Sequence, residues 1–176
     1  MNDRVTGIVS QTKRVALTSV MSALIAVLTT TAIPVPPPIS AITLAPIIIF
    51  VTSILLGPSA GLASAAIGSG IGYMVGTTIG TIVVLPGYLY VYLVGIVVAR
   101  GPMGFAVGLL RKQNEIVAMV VGVVVETLIF FTIDLYLLGI AIAAFDFGTF
   151  VDLAYVPVTF AVLVAVRRIL ETKYLA

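Results

Sequence analysis

The chain has 176 residues, of which 61% are hydrophobic and only 9% charged, with a mean hydropathy of +1.26; a soluble domain carries about 25% charged residues, so this composition belongs in a membrane. The absence of cysteine and histidine excludes disulfides, thiolate and imidazole metal sites, Cys or His general bases and a histidine pH switch. Nine Lys or Arg against seven Asp or Glu leave a net charge of +2, but no charged residue occurs from position 15 to position 99, a run several times the roughly 20 residues of one bilayer crossing.

One membrane domain is expected over 15–166, with a short polar segment, 1–14, before it and a basic tail, 167–176, after it. The first apolar segment follows Lys13 and Arg14 and continues past the usual signal-peptide core of roughly 7 to 15 residues, so it is expected to be retained. It predicts a helix over about 15–33, ended by Pro34 and the Pro36-Pro37-Pro38 run, which cannot continue a helix. A second helix is expected over 42–56. The Gly57-Pro58 pair opens a third, to about Gly80, because proline suits a first helical turn and glycine the position after a helix end. A fourth starts near Pro86 and reaches at least Ala99, or Leu110 if Gly101-Pro102 only kinks it. A fifth spans 115–138, and a sixth runs from about Asp152, or from near Gly148, to Val166.

Lys and Arg flanking membrane helices favour the cytoplasmic side. Here they form three groups: Arg4, Lys13 and Arg14; Arg111 and Lys112; Arg167, Arg168 and Lys173. Six helices place four crossings between the first two groups and two between the last two, so all three fit on one side. The expected fold is an all-α integral membrane protein, a compact bundle of six transmembrane helices with both termini cytoplasmic. The Pro-rich loop and the 77–86 and 139–152 connections then lie outside, and none holds a Lys or Arg.

The third helix carries Gly68, Gly72, Gly76 and Gly80 at intervals of four, extended by Gly61 and Ala65. Such a face lets another helix approach closely, whether inside the bundle, between copies, or along a substrate path. The first helix has a second stripe of small residues, Ser19 with Ala23 and Ser22 with Ala26, which serves either an internal seam or a partner protein.

Ionisable groups within a membrane are costly and point to function. Glu126 lies near the middle of the fifth helix and Asp134 toward its outer end, with Phe130 between them at i, i+4 spacing, so all three share one inward face. Asp152 and Tyr155 at the start of the sixth helix, Tyr88 and Tyr92 on the fourth and Tyr73 on the third fall at the same outer level and together would line an outward-facing pocket. The plainer alternative makes the tyrosines an interfacial aromatic belt and Asp146 and Asp152 wet loop or cap residues. Arg100 ends the uncharged run, and the expectation is that it snorkels to the cytoplasmic headgroups, the other course being an acidic partner.

The segments Arg14-Val-Ala-Leu-Thr-Ser19-Val-Met-Ser22-Ala23-Leu-Ile-Ala26, Leu56-Gly57-Pro58-Ser59-Ala60-Gly61 and Arg100-Gly101-Pro102-Met103-Gly104, with the Pro-rich first loop and Gly108-Leu109-Leu110, resemble the substrate-binding S components of energy-coupling factor (ECF) transporters. The resemblance covers nearly the whole chain and implies a multi-pass protein of a prokaryotic cell membrane. It also implies a small vitamin-like substrate bound from outside, a coupling transmembrane subunit and two ATPase subunits on separate chains. In that family an Ala-x-x-x-Ala motif on the first helix docks against the coupling subunit; Ser19 to Ala23 matches its spacing with Ser in place of the first Ala, which implies docking through Ser19, Ser22, Ala23 and Ala26. No ATP-binding loop is present, and the metal-binding relatives are excluded because they resemble one another in an N-terminal His that this chain lacks.

An intramembrane enzyme using Glu126, Asp134 or Asp152 as paired carboxylates is the competing class, but neither Asp134 nor Asp152 stands in a Gly-x-Gly-Asp motif. A structural or channel-forming bundle on the glycine face is the third. No cofactor, metal or nucleic acid is expected. All basic residues other than Arg100 fall on the expected inner side, whereas Asp134, Asp146 and Asp152 cluster outside. An anionic ligand would lack a cationic partner there, so the expected substrate is a neutral or cationic aromatic vitamin or precursor, riboflavin-like or thiamin-like rather than biotin, pantothenate or folate.

Overall fold

The computed structural model describes residues 11–34, 41–84, 87–144 and 151–175. Arg4, the Pro36-Pro37-Pro38 run, Pro86, Asp146 and Gly148, on which parts of the reading above rest, lie outside them. Among the described residues, six helices of twelve residues or more form a bundle: α1 (Gln11–Thr30), α2 (Ala45–Leu56), α3 (Pro58–Ile79), α4 (Leu89–Leu110), α5 (Glu115–Leu137) and α7 (Tyr155–Leu175). A four-residue helix, α6 (Ile140–Ala143), and a small antiparallel pair, β1 (Ile33–Pro34) with β2 (Ala41–Ile42), complete it. Of these helices, α1, α3, α4 and α5 are each long and apolar enough to cross a bilayer. At about 1.5 Å per residue α2 extends only about 18 Å.

The bundle is turned outward in chemistry, as lipid requires. On α1 the buried residues are Ser22, Ile25 and Thr29, whereas Val15, Val20 and Val27 are exposed; small and polar groups pack inside because lipid gives no hydrophobic reward for burying aliphatic ones. The hydroxyls of Thr18, Ser22 and Thr30 donate to the carbonyls of Arg14, Thr18 and Ala26 one turn earlier, so they cost little in an environment without water.

Glycine sets the spacing between helices. A Cβ on Gly61 would stand 2.6 Å from the Gly104 carbonyl oxygen, and one on Gly104 2.5 Å from that of Gly61, so α3 and α4 touch backbone to backbone. On the same face of α3, Gly68 and Gly72 meet the Ser22 and Ala26 carbonyls of α1. The glycine face is therefore an internal seam from Gly61 to Gly76, and Gly80 is instead the left-handed residue that ends α3, with φ +82 and open space around it.

Three boundaries differ from expectation. The helix α1 ends at Thr30, and Ile33 and Pro34 pair with β2 instead of extending it. Because α4 runs unbroken through Pro102, the Gly101-Pro102 step does not end it. The last helix begins at Tyr155 after a short turn over 151–154 and continues to Leu175, through the basic residues expected as a tail; Leu, Glu, Lys and Arg are good helix formers and nothing there breaks the helix.

The basic groups gather at one end. Arg14 donates to Ser59 Oγ, Arg111 to the Ile54 carbonyl at the end of α2 at 2.9 Å, and Arg167 pairs with Glu115 at the start of α5. Burial, and secondarily the nearby Arg14, lower the pKa of Arg111 from its ordinary value, though a guanidinium stays charged. Asn114 caps α5 by accepting from the Ile116 and Val117 amides, which fixes the short α4–α5 turn at this same end.

Candidate functional site

The polar centre is built on two neighbours, α4 and α5. Arg100 and Glu126 are each the twelfth residue of their helix, about half a bilayer from either end. Arg100 is 7% exposed and Glu126 1%. The guanidinium donates from Nε to Glu126 Oε1 at 3.1 Å, from Nη1 to Thr29 Oγ1 and Ser69 Oγ at 3.3 Å each, and from Nη2 to Thr43 Oγ1 at 2.9 Å. One side chain thus ties together α1, the lead-in to α2, α3 and α5.

This overturns the expectation that Arg100 snorkels. With α4 continuous to Leu110, Arg100 lies at mid-helix, no headgroup is within reach and buried partners must satisfy the charge. The interior consequently holds a cation, one that donates four of its five N–H groups to Glu126 and three hydroxyls.

Asp152, on the turn before α7, is buried. Tyr155 is half-buried and packs against the main hydrophobic core. Glu126 Oε2 and Thr159 Oγ1 are buried with no hydrogen-bond donor or acceptor against them among the described residues.

A second cluster adjoins the first through Phe130, one turn beyond Glu126. Tyr73, buried, packs with Ala32, Ile82 and Ile96, and Tyr92 and Phe130 lean against them. The Tyr92 hydroxyl stands 3.5 Å from Asp134 Oδ2, the outer limit of a hydrogen bond, and Asp134 is buried. Glu126, Phe130 and Asp134 share the inward face of α5. Tyr88 lies half-buried just before α4 and is not among the residues packed there. Tyr90 and Tyr136, strongly exposed, are the tyrosines placed as an interfacial belt would be.

The small-residue stripe on α1 divides. Ser22 and Ala26 press their carbonyls onto Gly68 and Gly72, while Ser19 and Ala23 are exposed. A spacing of four could not separate the two faces, because a one-residue offset on a helix turns a side chain by about 100°.

The partners that the sequence did not signal are Thr29, Thr43 and Ser69, hydroxyl residues ordinary in any membrane helix. Their signal was Arg100 itself, since an arginine at mid-helix must face inward and needs several acceptors. No group of three metal-ligating residues exists among the described residues. Chemically, the centre offers an aromatic wall next to a compact ion cluster, with hydroxyls and carboxyls that exchange hydrogen bonds and no metal-assembling geometry.

The model of the ECF-type riboflavin transporter S component family matches residues 9–171. Neither a curated protein nor a solved structure matches the chain.

Proposed function

The chain belongs to the ECF-type riboflavin transporter S components, and from that premise we propose that it captures riboflavin or a closely related flavin. It is a substrate-binding membrane subunit of an ECF transporter, a family that works with a membrane coupling subunit and ATPases. The observation that carries the flavin reading is the Tyr73, Tyr92 and Phe130 cluster, in which Phe130 stands one turn along α5 from the Arg100–Glu126 pair. A flavin needs an aromatic surface for its ring system and polar groups for its carbonyls and polyol chain. Arg100 is already neutralised by Glu126, so an anionic ligand would compete with a buried carboxylate for it, at a cost of several kcal/mol. Asp134, Asp152 and Tyr155 complete the polar side, with Tyr88 at the rim.

Ser19 and Ala23 are the docking positions for the coupling subunit in this reading, because they are the members of the small-residue stripe on α1 that stay exposed. The cytoplasmic side is the end that gathers Arg14, Arg111 and Arg167. Two ATPase subunits on separate chains complete the transporter. Mass spectrometry of compounds that co-purify with the detergent-extracted chain tests the substrate: a flavin supports the reading, and a biotin-, pantothenate- or folate-like carboxylate refutes it.

A further inference from the structure

A guanidinium facing a carboxylate commonly closes two parallel N–H···O bonds. In the buried pair between α4 and α5 the second bond is missing. Arg100 Nε–H meets Glu126 Oε1 at 3.1 Å, but Glu126 Oε2 is buried and meets no donor among the described residues. The Nη2 group that would reach it donates instead to Thr43 Oγ1 at 2.9 Å. Nη1 is spent on Thr29 Oγ1 and Ser69 Oγ, so the fifth N–H of the guanidinium, the second one on Nη2, has no acceptor. One donor and one acceptor are thus left open on two groups that the Nε–Oε1 bond holds together.

Neither open group can turn to water, with Arg100 7% exposed and Glu126 1%, and an ionised group buried short of its hydrogen bonds is costly. Thr29, Thr43 and Ser69, from α1, the lead-in to α2 and α3, hold the guanidinium in the position that leaves the second bond unmade.

We propose that Arg100 Nη2–H and Glu126 Oε2 form a ligand subsite for a neutral group that carries a hydrogen-bond acceptor beside an N–H donor, as amides, lactams and cyclic imides do.

The pairing selects by pattern and by charge. A ligand carboxylate brings acceptors alone and sets one of them against Oε2, whereas an ammonium brings donors alone and sets one against Arg100; the ion pair is already neutral, so either would add an uncompensated charge. The subsite also adjoins an aromatic wall. Ile96 lies one turn along α4 from Arg100 and Phe130 one turn along α5 from Glu126, and both belong to the cluster that contains Tyr73 and Tyr92. A planar ring whose edge meets the ion pair therefore lays its face along that cluster. Identifying the edge as the imide of a flavin, with its N3–H on Glu126 and a flanking carbonyl on Arg100, rests on the flavin reading above; the donor–acceptor pattern does not.

The affinities of riboflavin and 3-methylriboflavin, which lacks the imide N–H, test the subsite on the full chain in detergent. Methylation should weaken binding about 10- to 100-fold in the wild type, the worth of a hydrogen bond to a charged group, and by no more than about threefold in Glu126→Gln, whose amide nitrogen offers no acceptor there. A residue that only supported the fold would lower both affinities equally. Should Glu126→Gln not fold, infrared difference spectra of the wild type give the same answer: riboflavin should shift a carboxylate stretch, 3-methylriboflavin should not, and the shift should persist in Asp134→Asn and Asp152→Asn. Equal affinities in the wild type, a methylation penalty as large in Glu126→Gln, or no carboxylate shift on binding riboflavin would overturn the subsite. If riboflavin does not bind at all, the flavin reading is refuted, and millimolar uracil then decides the subsite: thermal stabilisation by uracil but not by 1,3-dimethyluracil upholds it, and stabilisation by neither overturns it as well.

Discussion

Gly72→Ala is expected to destabilise the protein, whereas the same change at Gly95, also buried within a helix, should leave it unchanged or slightly more stable. At Gly72 the added Cβ would stand 2.5 Å from the Ala26 carbonyl oxygen and 2.6 Å from Thr29 Cβ. Neither neighbour is a flexible side-chain tip, so α1 itself must withdraw by about 0.9 Å to restore an ordinary contact, against an overpacking cost of about 1–3 kcal/mol. The withdrawal also strains the Thr30 hydroxyl bond to the Gly72 carbonyl at 3.2 Å and the Thr29 hydroxyl that holds Arg100. At Gly95 the nearest atoms are Ile133 Cδ1 at 3.5 Å and Phe130 Cε1 at 4.0 Å, which is ordinary contact, and alanine improves helix propensity by up to about 1 kcal/mol. Thermal unfolding of both variants in detergent, followed by far-ultraviolet circular dichroism, should separate them by about 2 kcal/mol or more. Equal stabilities would show that α1 and α3 are not seated backbone to backbone at this point.

Cysteine at Lys112 should resist an impermeant thiol reagent added to intact cells and cysteine at Val83 should react; labelling of the Lys112 position from outside would invert the topology. Ala23→Trp should abolish co-purification with the coupling subunit while leaving vitamin affinity intact, and Ala26→Trp should instead unfold the bundle by driving α1 off Gly72; retained assembly in Ala23→Trp would remove α1 from the docking surface. Asn114→Ala removes two cap hydrogen bonds at 2.9 and 3.2 Å and should cost about 1 kcal/mol in the same unfolding assay, without altering the affinity for riboflavin.

What could be read from the sequence was what local chemistry decides. The helix α3 lies within a residue of its expected bounds because Gly57-Pro58 starts it and Gly80 ends it, and α5 begins at Glu115, where Asn114 caps it. The shared face of Glu126, Phe130 and Asp134 followed from i, i+4 spacing on one helix. The Arg100 centre did not, because its partners stand 26, 31, 57 and 71 positions away on different elements, and no periodicity links them. Pro102 compounded the difficulty: read as a helix end it puts Arg100 at the headgroups, but inside a continuous α4 it puts the same residue at the centre. The division of the α1 stripe likewise depended on where α3 sits, which small-residue spacing alone does not specify.

Titration of the purified chain with riboflavin, followed by quenching of flavin fluorescence and repeated in competition with thiamin, biotin, pantothenate and folate, tests the central claim most directly. Saturable binding of riboflavin at one site per chain, undisturbed by the carboxylate vitamins and weakened by Asp134→Asn, is the predicted result. Tight binding of a carboxylate vitamin that is lost in Arg100→Ala and unaffected in Asp134→Asn would contradict it.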